Sequence, residues 1–234
     1  MKLGTKNTGL GDILLLTSIC KYFPNQFTVE ISDKKKHYEC IFSNLAKVIF
    51  NKEENITETE NLGNTGHWAT RKLRNYFGPI ADYMDNRPMV LYSDFESEKW
   101  AYEFLLDKCN PVIFVPTCSK RWAKTRDIPD NIVDNILEHF AKNKITPIIC
   151  QSSQNIKNID GINLIDLDLK KYICLLRMVG IYHGANTGDE HLATAVGCRT
   201  FVHQPQDSDS FCRREWNYSN LNSTYFIWND YYKS

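Results

Sequence analysis

The sequence predicts an α/β protein with parallel β-sheets. Short apolar runs, typical of strands buried on both faces, alternate with segments of helical periodicity, most clearly from residue 111 onwards. Strands and helices that alternate in this rhythm indicate βαβ units. A length of 234 residues, of which 42% are hydrophobic, is enough for two small domains that share a cleft. We place the boundary near Asn110, with one domain over residues 1–108 and a second over residues 109–234.

The first half is predicted to begin with a strand and a helix. A strand at Lys2–Gly4 leads into Gly9-Leu10-Gly11-Asp12, and the apolar residues that follow predict a helix through Tyr22. The other elements predicted here are strands at 27–31 and 47–50, a polar surface loop at 51–65, helical segments within 67–85, an extended stretch at 88–92 and a helix at 96–108.

The second half shows the pattern more strongly. After a strand at 111–116, Pro129 and Asp130 open a segment whose apolar residues at 132, 133, 136, 137 and 140 follow one face of a helix. The elements predicted after it are strands at 145–150, 162–167, 180–183 and 199–203, and helices at 169–179 and 190–196. Because open α/β sheets bind ligands at the carboxyl ends of their strands, the loops there carry the candidate residues.

Composition argues against several functional classes. The 28 Lys and Arg residues are balanced by 28 Asp and Glu residues, whereas a protein whose main partner is duplex nucleic acid usually carries a basic excess. The basic and aromatic segment from His67 to Phe77 keeps a nucleic-acid- or nucleotide-modifying transferase open as an alternative. No apolar run reaches the roughly 18–20 residues that span a bilayer, and Asp12 interrupts the apolar start, so we expect a cytoplasmic protein.

The cysteines give no sign of a metal site. The 8 cysteines show no pair spacing and no Cys/His pattern of the kind that binds zinc. In an intracellular protein such cysteines are expected to be buried thiols.

The first candidate loop is Gly9-Leu10-Gly11-Asp12, which opens a predicted helix. Glycines allow a tight turn and a close approach of a ligand to the backbone. A carboxylate in the first helical turn projects into any cleft above the sheet. Asp12 is therefore either a catalytic carboxylate or a residue that caps its helix and stabilises it by about 0.5–2 kcal/mol.

The second candidate loop runs from Thr117 to Arg126 and holds four cations and three hydroxyl groups directly after a buried strand. Lysine supplies a mobile point charge and arginine a planar fork, and both suit phosphate oxygens. A solvated basic loop is the alternative interpretation.

The third candidate loop runs from Gly184 to His191, between a strand and a helix. A helix N-terminus presents unbonded backbone N–H groups and the positive end of a dipole, which together favour an anion. Thr187 and Gly188 are placed to direct those amides at a diphosphate. His191 is either part of this site or a partly buried structural histidine.

Taken together, the three loops resemble glycosyltransferase family 9, the heptosyltransferases and their relatives. Gly9-Leu10-Gly11-Asp12-Ile13-Leu14-Leu15 resembles the opening signature of that family, and Lys120-Arg121-Trp122 resembles its Lys-x-Trp segment. The stretch from Asn186 to Gly197 is similar to the family pattern Asp-Thr-Gly-x-x-His-Leu-x-x-Ala-x-Gly. The order and the spacing agree over nearly the whole chain.

The resemblance implies a GT-B architecture, in which two Rossmann-like domains with parallel sheets face each other across a cleft. Residues 1–108 would bind a glycan or another acceptor hydroxyl, and residues 109–234 a nucleotide-sugar donor. It implies an inverting transfer of a hexosyl or heptosyl group, with Asp12 as the general base and with no metal and no cofactor beyond the co-substrate. The residues that it assigns to the donor are Thr117, Lys120, Asn186, Thr187, Gly188 and His191, with Gly11, Arg121 and Lys124 in support.

Two departures from the family pattern leave a second function open. Asn186 stands where the family has an aspartate, which removes a charge that usually meets donor hydroxyls. The chain is also shorter than typical members, mostly in the acceptor half. A non-catalytic sugar-nucleotide or glycan-binding relative is therefore the alternative to a glycosyltransferase.

Overall fold

The computed structural model describes residues 2–6, 9–59, 68–121, 123–205 and 222–228, and at positions 68, 69 and 228 the backbone alone. Within these ranges the chain forms two parallel β-sheets with helices packed against them. The predicted α/β class with parallel sheets is confirmed.

The first sheet contains three parallel strands, in the order β1–β2–β3. They span Lys2–Gly4, Thr28–Ser32 and Lys47–Asn51. Helix α1 (Leu10–Cys20) connects β1 to β2, and all of its residues from position 13 to position 20 are buried. A helix that is apolar on every side is stable only inside a core, which accounts for this burial. A 3₁₀ segment at Asp33–Phe42 connects β2 to β3.

The second sheet contains six parallel strands, in the order β6–β5–β4–β7–β8–β9. They span Pro111–Val115 (β4), Thr146–Gln151 (β5), Ile162–Ile165 (β6), Ile181–Ala185 (β7), Arg199–Pro205 (β8) and Ser223–Trp228 (β9). Numbered from its own first strand, this order is the 3-2-1-4-5-6 of the Rossmann fold. The direction of winding reverses between β4 and β7, and ligands bind above such a reversal.

The other helices are α2 (Trp68–Phe77), α3 (Phe95–Leu105), α4 (Ala123–Arg126), α5 (Asp130–Lys142), α6 (Leu169–Val179) and α7 (Gly188–Ala195). One apolar cluster contains residues of both sheets, so the two halves share buried contacts. Helix α3 lies against α6, where the Lys171 ammonium is 5.2 Å from the Trp100 ring. The predicted boundary at residue 109 falls between α3 and β4.

Some predicted elements differ from the structure, and one observed strand was not predicted. Residues 88–92 form no strand, because Val90 donates its backbone N–H to Ala195 O at 3.0 Å rather than to a neighbouring strand. The helix predicted at 96–108 ends at Leu105. The helical segments predicted within 67–85 are confirmed as α2 and a 3₁₀ turn at Gly78–Tyr83, with His67 outside the described residues. Strand β9 was not predicted. The predicted surface loop at 51–65 contains a 3₁₀ turn at 53–55, and its residues from 60 onwards lie outside the described ranges.

Of the cysteines that the structure describes, all except the exposed Cys109 are buried and none forms a disulfide. The prediction of buried thiols is therefore confirmed for the six buried cysteines and is wrong for Cys109. Burial raises the pKa of the Cys150 and Cys20 thiols, and that of Cys20 reaches about 12.

Candidate functional site

A cavity of about 1340 Å³ lies where the carboxyl ends of the strands meet the start of α1. The first half of the chain contributes the first turn of α1 and, from the 3₁₀ segment, Lys35, His37 and Tyr38. The second half contributes the loops after β4, β5, β6 and β7. The cavity therefore lies above the reversal between β4 and β7, where the topology of the second sheet favours a ligand.

The first turns of α1 and α7 contact each other at this cavity. A Cβ atom on Gly188 would lie 2.9 Å from Leu10 Cβ and 3.1 Å from the backbone N of Gly11. A Cβ atom on Gly11 would lie 2.6 Å from His191 Cδ2. Only glycine allows this approach, and as a result two helix N-termini from different halves of the chain open into one cavity.

Asp12 lies in the first turn of α1 and lines the cavity. The N-cap position belongs to Gly9, which makes no side-chain capping hydrogen bond. A carboxylate in a first turn interacts favourably with the helix dipole, so Asp12 stabilises its helix while facing the cavity.

Lys72 on α2 brings a buried positive charge close to Asp12. The side chain donates from Nζ to Thr59 O at 2.6 Å, and Lys72 is 3% exposed. Burial lowers the pKa of Lys72, and the negative charges of Glu58 and Asp12 partly oppose that shift. A cation in this position favours the ionised form of a neighbouring carboxylate.

The loop after β4 brings some of its predicted cations to the cavity and not others. Thr117 is buried and lines the cavity together with Arg121 and Arg126. Lys120 and Lys124 are exposed and lie outside the lining.

Asp127 explains this arrangement of the loop. Its carboxylate accepts a hydrogen bond from the backbone N–H of Cys118 at 2.7 Å, which closes the loop across nine residues. The Asn155 side chain donates to Asp127 Oδ2 at 2.9 Å and to Cys118 O at 2.8 Å. The loop is therefore held at both ends, and the short helix α4 begins inside it.

The loop after β7 places all four of its predicted donor residues at the cavity: Asn186, Thr187, Gly188 and His191. Thr187 is the N-cap of α7, because its hydroxyl oxygen accepts a hydrogen bond from the backbone N–H of Asp189 at 3.2 Å. The same hydroxyl donates to Asp189 Oδ2 at 3.1 Å. The first turn of α7 is thus fixed with its N-terminus at the cavity.

The surroundings of His191 and Asp189 disfavour the charged form of each side chain. Burial and, to a lesser extent, the nearby positive charge of Arg126 lower the pKa of His191 to about 4. Burial raises the pKa of Asp189, although the hydrogen bond from Thr187 and the nearby Tyr172 hydroxyl oppose the shift. At neutral pH His191 is therefore an uncharged ring that packs against Gly11 rather than a phosphate-binding cation.

An Asp-x-Asp pair that the sequence interpretation overlooked follows β6. Asp166 and Asp168 both line the cavity, and metal-dependent enzymes use carboxylates in this way. Here each carboxylate is engaged locally: Asp166 accepts from the backbone N–H of Ser153 at 2.9 Å, and Asp168 caps α6 by accepting from Lys170 N at 3.0 Å. No group of three or more metal-binding side chains occurs within the described ranges.

Sequence reasoning also missed the wall that the 3₁₀ segment contributes. Lys35, His37 and Tyr38 line the cavity, and the Lys35 ammonium lies 5.5 Å from the Tyr38 ring. These residues carry no motif, and their position depends on how the first sheet turns towards the second.

None of the helices in the described part of the chain is long and apolar enough to cross a membrane.

Comparison with solved structures identifies the fold. The chain superimposes on the E. coli ADP-heptose LPS heptosyltransferase II with a TM-score of 0.70 at 8% identity, over 96% of this chain and 89% of that one. The fold is that of the family 9 glycosyltransferases. A family 9 glycosyl transferase from Veillonella parvula gives a TM-score of 0.71 at 9% identity, over 97% of this chain and 85% of that one.

A third structure, E. coli heptosyltransferase WaaC with ADP-2-deoxy-2-fluoro heptose, gives a TM-score of 0.59 at 11% identity. The superposition covers 97% of this chain and 93% of that one. No family model and no curated protein matches the sequence. The resemblance seen in the three loops is therefore supported by the shared fold and not by overall sequence similarity.

Proposed function

We propose that this protein is a glycosyltransferase that moves a hexosyl or heptosyl group from a nucleotide sugar to an acceptor hydroxyl. In this proposal the two sheets belong to the two halves of a GT-B fold, with residues 1–108 on the acceptor side and residues 109–234 on the donor side. The fold neighbours support it, since two of them are heptosyltransferases and one of these contains ADP-2-deoxy-2-fluoro heptose.

The observation that carries the proposal is the contact between α1 and α7 at Gly11 and Gly188. It places a carboxylate, Asp12, and a helix N-terminus suited to an anion in the same cavity. A sugar transfer to a hydroxyl needs both groups, one to accept a proton and one to stabilise the leaving diphosphate.

The diphosphate would be held by the N-terminus of α7, by Thr117 and by two arginines. Arg121, which the sequence already assigned in support, lines the cavity together with Arg126, and the two would take the role suggested for Lys120 and Lys124. A guanidinium group binds phosphate oxygens through two parallel hydrogen bonds. These charges compensate the negative charge that builds up on the leaving group, and the transfer would then need no metal ion.

Asp12 would act as the general base. As the acceptor oxygen attacks the anomeric carbon, its proton passes to the carboxylate, and the bond between that carbon and the phosphate oxygen breaks. Attack from the face opposite the leaving group inverts the anomeric centre. The positive charge of Lys72 interacts with the charge of Asp12 at this point of the site.

The test is acceptor-dependent release of nucleoside diphosphate. Purified protein would be incubated with ADP-heptose, UDP-glucose or GDP-mannose, with and without a glycan extract, in EDTA and in Mg²⁺. Release that depends on the extract and persists in EDTA supports the proposal, whereas loss in EDTA with recovery in Mg²⁺ overturns metal independence. Binding of a nucleotide sugar without release under any condition would indicate the non-catalytic relative instead.

We expect no cofactor beyond the nucleotide sugar, no nucleic-acid partner and a cytoplasmic location, as the sequence predicts.

A further inference from the structure

Asn186 is fixed from two sides where β7 ends. Its backbone N–H donates to His203 O at 3.2 Å, across to the neighbouring strand β8. Its side-chain Nδ2 donates to Gln204 Oε1 at 2.8 Å. Gln204, the residue after His203, is 0% exposed and therefore cannot exchange this bond for one to solvent. The amide plane of Asn186 is set by β8.

This bond determines which atom Asn186 offers to a ligand. Asn186 lines the cavity, and its Nδ2 is directed at Gln204. With Nδ2 engaged by Gln204, Oδ1 is the amide atom left to accept a hydrogen bond from a ligand. In the described part of the chain no hydrogen bond to this oxygen is found. An amide oxygen accepts hydrogen bonds and carries no formal charge.

We propose that Gln204 is a positioning residue that turns the Asn186 carbonyl towards the cavity, where Asn186 accepts a hydrogen bond from a hydroxyl of the transferred sugar. This role rests on the proposed function. The family resemblance already implies a donor hydroxyl at position 186, and what Gln204 adds is the choice of the amide atom that meets it. The diphosphate is left to the other residues of the site. The uncharged oxygen recognises a hydroxyl without placing a further negative charge beside the diphosphate.

The amide nitrogen of Gln204 bears on what position 186 can accommodate. Gln204 Nε2 is buried and has no hydrogen-bond partner among the residues that the structure describes, and such a group is costly in a protein interior. Rotation of the Gln204 amide by half a turn would direct this donor at position 186. A carboxylate at that position would find a ready partner, so Asn186→Asp is expected to fold and to bind sugar nucleotides.

The experiment measures how much the sugar adds to binding. Calorimetry would give the dissociation constants of ADP, UDP and GDP and of ADP-heptose, UDP-glucose and GDP-mannose, and the pair with the largest difference in the wild type would be used. Gln204→Met has a similar shape and lacks the amide oxygen that accepts the hydrogen bond from Asn186. Gln204→Glu keeps an acceptor oxygen. Asn186→Ala removes the side chain that is proposed to bind the sugar hydroxyl.

We expect Gln204→Met and Asn186→Ala to reduce the ratio between nucleotide and nucleotide-sugar dissociation constants about three- to tenfold, the worth of one hydrogen bond. Affinity for the diphosphate alone should not change, and Gln204→Glu should retain most of the ratio. A loss of affinity for both ligands in equal measure, no change, or a loss in Gln204→Glu as large as in Gln204→Met would each overturn the role of Gln204.

Asn186→Ala guards against a folding defect, because this half-buried side chain lies in a loop and not in the core. If Gln204→Met fails to fold, an unchanged ratio in Asn186→Ala overturns the proposal, and a reduced ratio together with retention in Gln204→Glu supports it. If no nucleotide sugar binds to the wild type, the proposed function itself fails and the role of Gln204 fails with it.

Discussion

Gly11 and Gly188 touch through their backbones: a Cβ atom added to Gly188 would lie 3.1 Å from Gly11 N, and one added to Gly11 would lie 3.7 Å from Gly188 Cα. The two residues are 177 positions apart in the chain and belong to the first turns of α1 and α7. Helix α1 connects strands of the first sheet, and α7 connects strands of the second. This contact brings the Asp12 carboxylate and the N-terminus of α7 to one cavity.

The packing at Gly11 predicts a coupled effect with His191. Gly11→Ala would place a methyl group 2.6 Å from His191 Cδ2, and overpacking of this kind costs about 1–3 kcal/mol of unfolding free energy. In a His191→Ala background the ring is absent, so the same substitution should cost markedly less. Urea unfolding of the two single variants and the double variant would measure this coupling. Additive effects would mean that the ring and the glycine do not constrain each other.

The two arginines at the cavity predict a selective loss of diphosphate binding. Arg126→Ala should weaken the affinity for a nucleoside diphosphate about tenfold or more, because a hydrogen bond to a charged group contributes about 1.5–3 kcal/mol. The affinity for the free nucleoside should change little.

Lys124→Ala is the matched control, since Lys124 lies on the same short helix, is exposed and does not line the cavity. Calorimetry would compare the two variants with Lys120→Ala. If Lys124→Ala and Lys120→Ala weaken diphosphate binding as much as Arg126→Ala does, the loop acts as a diffuse positive surface.

A pair of histidines predicts how stability depends on pH. His183 Nε2 and His203 Nε2 are 2.6 Å apart, with the ring planes at 16° to each other, so one nitrogen donates its proton to the other. Burial lowers the pKa of His203 to about 4. Burial and the positive charge of a protonated His203 lower that of His183 to about 3.

The unfolded chain binds protons at these histidines below their ordinary pKa of 6.5, whereas the folded chain does not. The free energy of unfolding should therefore fall as the pH drops from about 6.5 to about 4, by up to about 1.4 kcal/mol per pH unit for each histidine. The double variant His183→Phe with His203→Phe should lose this part of the slope. Urea titrations at pH 7, 6 and 5 would show it, and equal slopes in both proteins would contradict the assignment.

Glu190 contributes with the opposite sign, because burial raises its pKa from 4.5 to about 7 despite the hydrogen bond from Tyr225. Its contribution to stability is present below about pH 4.5 and is lost as the pH rises through 7. The comparison between wild type and the double histidine variant removes this effect, since both proteins contain Glu190.

Much of the donor half was predictable because its signals are local. The apolar run of β4, the period of α6 and the turn into α7 each depend on a few neighbouring residues, and α6 was predicted at its observed bounds, Leu169–Val179. Strand β9 was not predicted, although its run of aromatic and β-branched residues is typical of a strand.

The candidate site was predictable in its motifs and not in its contacts. Asp12, Thr117 and Thr187 reach the cavity from loops that the strand pattern located. The choice between Lys120 and Arg126 depended on Asp127, which folds the loop back through a hydrogen bond to a backbone N–H nine residues away. No sequence periodicity encodes such a bond.

The proposed sugar transfer depends most on Asp12 as its general base. The most direct measurement is single-turnover transfer by wild type and Asp12→Asn, with saturating nucleotide sugar and the acceptor that supports release. The substitution preserves the size of the side chain and removes the base. We expect the transfer rate to fall about 10²–10⁴-fold. The dissociation constant of the donor should stay within about twofold, because Asp12 is not proposed to bind the donor. If Asp12→Asn transfers sugar at a rate close to that of the wild type, Asp12 is not the general base.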